Sequence, residues 1–204
     1  MKIFSIKPYR RRGRKWRAAN RNSVFFPNLL LVKRPTWPNH VWASDFTHIS
    51  FHGKTLYLAT VIDLFTREIV GFSALTTHSA VLVTQAFLSA IHKHPPPSVL
   101  HSDHGSEYCS KDYLAIIRNL GIEVSMSKKG APWENGYQES FYSQFKVDLG
   151  DPNRFQNLGE LVYAVYQTIY SYNHSRIHTK LKMPPAIFAE RHIERSNQLV
   201  ETVS

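Results

Sequence analysis

Three acidic residues lie in sequence surroundings that suit metal-dependent chemistry. Asp45 lies in a run of apolar and β-branched residues, Asp103 follows a short apolar run, and Glu139 lies in a segment with helical periodicity. An acid in a central strand is costly to bury unless a cation pairs with it, and carboxylate oxygens are ligands that suit Mg²⁺. Two such ions about 3.5–4 Å apart can activate an attacking oxygen and stabilise a leaving one. On spacing alone, three unrelated surface acids are the simpler interpretation.

The elements that would position these acids follow an α/β pattern. Alternating or β-branched runs predict five strands, and apolar residues at helical spacing predict four helices. Their order predicts a mixed five-stranded sheet flanked by helices, in which an antiparallel front half is followed by two strand–helix crossovers. The predicted strands are 41–51, 55–62, 68–75, 99–103 and 122–126, and the predicted helices begin near 79, 110, 133 and 158.

Side-chain periodicity predicts how the acids face. Asp45 shares a strand face with Ala43 and Thr47, opposite the face of Trp42. Asp103 ends a strand, and functional groups of open α/β sheets gather at strand ends. Glu139 shares one helix face with four polar residues, which are Asn135, Tyr142, Ser143 and Lys146. The three acids could therefore converge on divalent cations.

The positive charge of the chain is concentrated at its front. The 204 residues carry 25 Lys and Arg and 15 Asp and Glu, and residues 1–34 hold eleven of these cations and no acid. Clustered cations release counterions from a phosphate backbone, which predicts nucleic-acid binding without sequence reading. A solvated tail is the alternative. The predicted DNA contacts of this arm are Arg10, Arg11, Arg12, Arg14, Lys15 and Arg17.

Composition excludes several classes of protein. With 43% hydrophobic residues the chain can bury a core, and its single cysteine, Cys109, excludes a disulfide scaffold and a zinc site built from paired cysteines. The eleven histidines do not by themselves predict structural zinc. No run approaches the length of a membrane span, and residues 1–12 lack the apolar centre of a signal peptide. We therefore expect a cytoplasmic protein without a membrane partner.

Three ordered sequence blocks resemble the integrase-type catalytic core. They are Trp42 to Thr47, His101 to Ser106 and Glu134 to Phe141, and each contains one of the three acids. Asp103 and Glu139 have 35 residues between them, and Lys146 follows Glu139 by seven. Both features resemble the bacterial insertion-sequence transposases of the IS-three family, as does the closing segment from Tyr172 to Ala186.

This resemblance implies a fold, an activity and roles for the acids. It implies a ribonuclease-H-like fold, and cutting and joining of DNA strands with Mg²⁺ or Mn²⁺. Asp45 would bridge two metal ions, Asp103 would hold one and Glu139 the other. Lys146 would contact a DNA phosphate, and we expect further DNA contacts from Lys128, Lys129 and Trp133. The resemblance also implies double-stranded DNA as partner, self-association on DNA and, in a bacterial cell, association with the nucleoid.

The predicted organisation is a basic arm at 1–34, a catalytic core at 35–192 and a C-terminal tail at 193–204. The pattern departs from many relatives at Glu134, where they carry Asp, and upstream, where full-length relatives carry a helix-turn-helix region that a separate protein could supply. Two other functions stay open. One is hydrolysis of RNA in RNA–DNA hybrids on the same fold, and the other is a truncated, non-catalytic DNA-binding regulator of transposition.

Several other residues have structural interpretations. We expect Asp63 to cap a turn and Cys109 to be a buried small residue. Glu107 is expected to serve loop structure, or to tune a metal weakly. A stripe at helical spacing predicts core packing for Tyr163, Tyr166, Ile169 and Tyr170.

Overall fold

The computed structural model describes residues 26–128 and 136–201, with side chains through residue 194. It contains five strands and five helices within these ranges. The strands are β1 (Val41–Phe51), β2 (Lys54–Asp63), β3 (Ile69–Leu75), β4 (Val99–Ser102) and β5 (Glu123–Met126). The helices are α1 (Ala80–Ile91), α2 (Lys111–Asn119), α3 (Gly136–Leu149), α4 (Leu158–His174) and α5 (Pro185–Glu201).

The strands form one mixed sheet in the order β3-β2-β1-β4-β5. β1 pairs antiparallel with β2, placing Asp45 opposite Thr60, and β2 pairs antiparallel with β3. On its other side β1 pairs in parallel with β4, which pairs in parallel with β5. The predicted α/β fold is confirmed, because an antiparallel meander is followed by two crossovers through α1 and α2.

The hairpin between β1 and β2 turns at His52 and Gly53, whose φ angles are 43° and 73°. Two successive positive φ angles match the twist of the flanking strands, and Gly adopts them without steric cost. His52 Nε2 lies 3.0 Å from the carbonyl oxygen of Phe155, which ties the hairpin tip to the chain before α4.

The sheet is buried on both faces. On one face, Ala43 and Ile49 of β1 pack with the apolar stripes of α3 and α4, including Phe141 and Val165. On the other face, Trp42 packs with α1 and α2 through residues such as Phe87 and Ile117. The alternation predicted for β1 is therefore correct, and Asp45 shares the face of Ala43, the face that carries α3.

The sheet and α1 approach most closely at Gly71 of β3. A Cβ added there would lie 2.5 Å from the carbonyl oxygen of Ala86 and 2.6 Å from the backbone nitrogen of Ala90. No side chain can occupy that space without moving the helix backbone. A glycine is therefore required where α1 crosses β3.

Two features differ from the sequence prediction. On α4, Ile169 is buried, but Tyr163, Tyr166 and Tyr170 are 66%, 55% and 59% exposed, so the predicted core stripe is wrong for the tyrosines. The buried stripe is instead formed by Leu161, Val165, Ile169, Tyr172 and Asn173.

The second difference is α5, a helix that the sequence pattern did not predict. It runs from Pro185 to Glu201 and so crosses the predicted boundary at residue 192. No helix in the described ranges is long and apolar enough to cross a bilayer.

Candidate active site

Asp45 lies in the middle of the central strand. Its carboxylate is only partly exposed, and Oδ1 accepts a hydrogen bond from the backbone N–H of Phe46 at 2.8 Å. At Asp45, β1 is paired with β2 through Thr60, and its parallel pairing with β4 ends two residues earlier, at Ala43. The sheet thus holds this carboxylate in a fixed position.

Asp103 lies one residue beyond the end of β4, the strand next to β1. Its Oδ1 accepts a hydrogen bond from the backbone N–H of Gly105 at 2.8 Å. A Cβ at Gly105 would lie 2.9 Å from that oxygen and 3.0 Å from Oε2 of Glu107. The tight loop after β4 therefore fixes Asp103 at the carboxyl end of a parallel strand, where the sequence predicted it.

Glu139 lies exposed in the first turn of α3. Its neighbour Gln138 is fully buried, donates from Nε2 to the carbonyl oxygen of Ala43 at 2.7 Å and accepts from Thr60 Oγ1 at 3.2 Å. Tyr142 donates from its hydroxyl to the carbonyl oxygen of Asp45 at 2.7 Å. Two side chains that flank Glu139 therefore attach α3 to the strand that carries Asp45.

The charges of Asp103 and Glu139 act on the carboxyl group of Asp45. Burial raises the pKa of Asp45 to about 7, the hydrogen bond from Phe46 opposes this shift, and the charges of Asp103 and Glu139 raise the pKa further. Like charges near a carboxylate favour its protonated form. Asp45 thus lies in the negative field of two further carboxylates, and a bound cation would offset that field.

The set of donors fits a hard divalent cation. All three are carboxylates, which suit Mg²⁺ or Mn²⁺, and none is a thiolate or an imidazole. In the described part of the chain, no three His, Cys, Asp or Glu side chains are grouped closely enough to hold a metal as they stand. Repulsion among ionised acids is a physical reason for such separation, and Glu139, being exposed, has room to adjust its rotamer.

Lys146 lies two turns after Glu139 and is exposed. Together with His48 and Ser50 of β1 it lines a shallow depression of about 330 Å³. Lys128, also exposed, follows β5 at the same edge of the sheet as Asp103. Eight other predicted DNA contacts lie outside the described residues: Arg10, Arg11, Arg12, Arg14, Lys15, Arg17, Lys129 and Trp133.

Asp63 has the structural role predicted for it. Its Oδ1 accepts from the backbone N–H groups of Phe65 at 2.7 Å and Thr66 at 3.1 Å, and its Oδ2 accepts from that of Asn39. These bonds close the turn between β2 and β3. Asp63 therefore serves the turn, as its position after a strand indicated.

Glu107 lies beside Asp103 but pairs with a histidine. Its Oε1 is 3.1 Å from Nε2 of His78, whose ring packs against Phe46 and Tyr57. Glu107 also accepts from the Ser106 hydroxyl at 2.9 Å. These contacts support the predicted structural role in the loop.

The prediction that Cys109 is buried is wrong, because it is exposed. Partial desolvation, with the charges of Asp103 and Glu107, raises the pKa of its thiol. A thiol with a raised pKa is a weak nucleophile at neutral pH. Its exposure therefore does not indicate covalent catalysis.

Sequence reasoning did not identify Gln138 as a functional residue. In the structure, the amide of Gln138 is fully buried although its neighbours in the same helical turn are exposed, and this burial indicates a specific role. The sequence alone shows only a polar residue next to a candidate acid. The role of Gln138 can therefore be recognised only when its burial is known.

Family comparison agrees with this geometry. Residues 35–132 and 120–185 match two models described as integrase core domain. The chain is 37% identical over 182 residues to the transposase for insertion sequence element IS904 of Lactococcus lactis, covering 87% of this chain and 69% of that protein. It is also 38% identical over 113 residues to transposase InsF for insertion sequence IS3A of Escherichia coli, covering 54% of this chain and 39% of that protein.

Solved structures support the fold. A chain of the simian T-cell lymphotropic virus intasome, in complex with PP2A regulatory subunit B56 gamma, matches with a TM-score of 0.69 and 20% identity over 77% of this chain and 56% of its own. The HTLV-2 integrase catalytic core domain in complex with magnesium matches with a TM-score of 0.65 and 19% identity, over 76% of this chain and 99% of its own. These neighbours share the ribonuclease-H-like fold.

The matches to the family models and to the transposase relatives show that the chain belongs to the integrase core family, among the insertion-sequence transposases, with a catalytic core of the three-acid (DDE) type that serves DNA transposition.

Proposed function

We propose that Asp45, Asp103 and Glu139 are the catalytic acids of this core and hold its divalent metal, Mg²⁺ or Mn²⁺. The observation that carries the proposal is geometric: Asp103 follows the strand next to β1, and α3, which carries Glu139, is hydrogen-bonded to β1 at Ala43 and Asp45. Three separate elements therefore bring their acids to the middle of the sheet. The donor set, the raised pKa and the family membership support the same assignment.

Each acid has a distinct structural setting for this role. Asp45 is held by the sheet, Asp103 by a tight loop and Glu139 by a helix attached to β1. A bound divalent ion supplies electrostatic stabilisation at phosphoryl oxygens and promotes ionisation of water. The protein's task is to position the scissile phosphodiester of DNA beside the three carboxylates, first for cutting by water and then for attack by a 3′-hydroxyl.

We propose that Lys146 and Lys128 contact DNA phosphates beside this centre. Lys146 lies seven residues after Glu139, which is about 10 Å along a helix axis. Lys128 lies at the edge where β4 and β5 end. Cations at both positions would partly offset the charge repulsion between the acids and DNA.

The partners follow from the chemistry. We propose double-stranded DNA, both element ends and target, as substrate, and self-association on DNA because two ends must be joined together. The basic residues before residue 26 and the pair Lys129 and Trp133 are proposed to extend the DNA contact. Recognition of the ends by a separate helix-turn-helix protein is also part of this proposal.

A joining assay tests the function. We would incubate the protein with Mn²⁺, a supercoiled plasmid and a labelled pool of duplexes with random terminal sequences. The expected result is covalent attachment of labelled 3′ ends to the plasmid by the wild type and by Glu194→Gln. Glu194 is an exposed acid of α5, so this variant is a charge-matched control for Glu139→Gln, which should not join DNA.

Two outcomes would contradict the proposal. Digestion of an RNA–DNA hybrid without any joining would favour the hydrolase on the same fold. Tight DNA binding without joining, nicking or hybrid digestion would favour a non-catalytic regulator of transposition.

A further inference from the structure

A groove of about 900 Å³ runs along α3, beside the proposed catalytic face. One wall is formed by α3, and the other by the segment after α4 from Arg176 to Lys180. Ile62, Phe141 and Tyr172 contribute apolar surface, whereas the polar groups are mostly cations and hydroxyls. The polar residues that line it include Arg67, Ser140, Ser143, Arg176, His178 and Lys180.

Arg67 is the unusual member of this groove. It lies in the turn between β2 and β3 with a φ of 65°, is only 6% exposed, and its guanidinium carbon lies 4.1 Å from the ring centre of Tyr137. Its Nη1 is buried without a hydrogen-bond partner among the described residues. A guanidinium stays protonated and has only donors, so a buried, unpaired Nη1 indicates a missing acceptor.

The groove also carries an excess of positive charge. Arg176 is paired with Asp148 through contacts of 2.7 and 3.0 Å, whereas Arg67 and Lys180 have no such ion pair within the described chain. His178 lies among these cations, and its buried Nδ1 has no hydrogen-bond partner in the described structure. Burial, followed by the charges of Arg67, Lys180 and Arg176, lowers the pKa of His178. An anion with several oxygen acceptors would satisfy these groups together.

The position of the groove favours DNA as the source of that anion. Successive residues of a helix are rotated by about 100°, so Ser143 and Ser140, which line the groove, project about 40° and about 100° to one side of Glu139. A duplex held at Glu139 would therefore have its backbone within reach of the groove around the same helix. Double-stranded DNA also offers closely spaced phosphates, to which Arg donates in bidentate geometry.

We propose that this groove is a second binding site for DNA, in which Arg67 and Lys180 contact backbone phosphates that flank the proposed scissile position. The proposal rests on DNA as the substrate of this core, but not on the roles of the three acids. The hydroxyls of Ser140 and Ser143 are available to donate to the same phosphates. The site therefore adds affinity without reading sequence.

Salt-dependent binding tests the site. Fluorescence anisotropy of a labelled duplex is measured with the full 204-residue chain in EDTA at several salt concentrations. Arg67→Gln and Lys180→Gln are each expected to weaken binding several-fold and to lower the magnitude of the salt slope by about 1. Arg118→Gln, which removes the same charge from exposed α2 on the other side of the sheet, should retain the wild-type slope.

Lys180 is exposed, so its variant carries the test if thermal melting shows that Arg67→Gln fails to fold. The proposal would be overturned if Lys180→Gln, and Arg67→Gln where it folds, showed the same salt slope of DNA binding as Arg118→Gln. Weakened binding of a labelled oligo-glutamate peptide with an unchanged DNA slope would also overturn it, because the groove would then bind an acidic protein segment. Binding in EDTA needs no catalysis, so a failure here is distinct from a failure of the joining assay.

Discussion

Asp45 shows at the scale of a single residue how burial changes the protonation of a carboxyl group. Folding raises the pKa of its carboxyl from 3.8 to about 7, so the folded chain favours the protonated form more strongly than the unfolded chain does. Ionisation of Asp45 therefore opposes folding. This ionisation does not lower the free energy of unfolding below about pH 4. Its destabilising effect grows as the pH rises towards 7 and is complete above that value.

We predict that Asp45→Asn stabilises the metal-free protein at pH 8 more than at pH 5. The asparagine cannot ionise and can still accept the hydrogen bond from Phe46. Thermal melts in EDTA measure the difference in Tm between variant and wild type, where each kcal/mol corresponds to about 2–4 °C for a chain of this size. Added Mg²⁺ should raise the Tm of the wild type at pH 8 and leave that of the variant nearly unchanged. A Tm difference equal at both pH values would contradict this account.

Sequence could predict individual residues where type and spacing carried the information. The turn-capping Asp63 was predicted in this way, whereas spacing alone favoured three unrelated acids, and the roles of Asp45, Asp103 and Glu139 are predictions from the resemblance to the integrase-type core. The exposure of Cys109 and of the α4 tyrosines was not, since helical periodicity shows which residues share a face but not whether another element covers it. In α4 the sheet covers the face of Val165, whereas the tyrosines remain more than half exposed, although the ring of Tyr166 touches Phe72 of β3.

At the scale of elements, the position of α3 against β1 decides where Glu139 lies. Gln138 bonds to Ala43 and Thr60, and Tyr142 bonds to the carbonyl oxygen of Asp45. These contacts join the helix to the strand on both sides of the acid. We therefore propose that Gln138 and Tyr142 are positioning residues, which act through Glu139 and Asp45.

We predict that Gln138→Ala lowers both stability and Mn²⁺-dependent nicking of plasmid DNA. It removes the donor to the carbonyl of Ala43 and one of the two partners of the Thr60 hydroxyl, which keeps its bond to Tyr142, at a cost of about 1–3 kcal/mol. It also releases α3, so the nicking rate should fall more than the unfolded fraction explains. Urea unfolding and initial nicking rates on the same preparations measure the two effects.

Gln85→Ala is the matched control for that variant, because Gln85 is exposed on α1 and bonds only to Ser73 among the described contacts. It should change neither quantity appreciably. A Gln138→Ala protein that loses stability but nicks at the wild-type rate under folding conditions would remove the positioning role.

Element prediction succeeded where local pattern determined the structure. The meander and both crossovers followed from alternating strands, short turns and helical periodicity. Helix α5 was missed because it is rich in polar residues and buries Pro185, Ala186 and Ala189 in its first two turns, which is too short a stripe to give a clear helical period. Its packing against α4 depends on contacts distant in sequence, which local patterns do not contain.

At the scale of the whole molecule, the boundary between arm and core lies closer to the front than charge alone indicated. Leu29 donates from its backbone to Ser125 Oγ at 2.9 Å, Met126 donates to the carbonyl oxygen of Pro27 at 3.2 Å, and Lys33 pairs with Glu123. Residues 27–33 therefore pack along β5. The sequence shows where the cations lie along the chain, but it does not show which of these residues contact the sheet.

We predict that removing residues 1–25 weakens DNA binding and lowers its salt dependence. This deletion removes nine cations and leaves Lys33, Arg34 and the contacts to β5 in place. Each lost phosphate contact lowers the magnitude of the salt slope by about 0.9. Anisotropy titrations over a range of salt concentrations measure the slope, and a full-length chain with Arg10, Arg11 and Arg12 changed to Gln separates charge from length. An unchanged slope in both proteins would show that the arm is not a DNA contact.

The central claim is that three acids from a strand, a loop and a helix act as one catalytic centre. Its most direct test is nicking of supercoiled plasmid in Mn²⁺ by the wild type, Asp45→Asn, Asp103→Asn, Glu139→Gln and the control Glu194→Gln. We predict that the wild type and the control nick at similar rates, and that each of the other variants stays folded but loses activity by at least about a hundredfold. Nicking by folded Glu139→Gln at the rate of Glu194→Gln would contradict the claim.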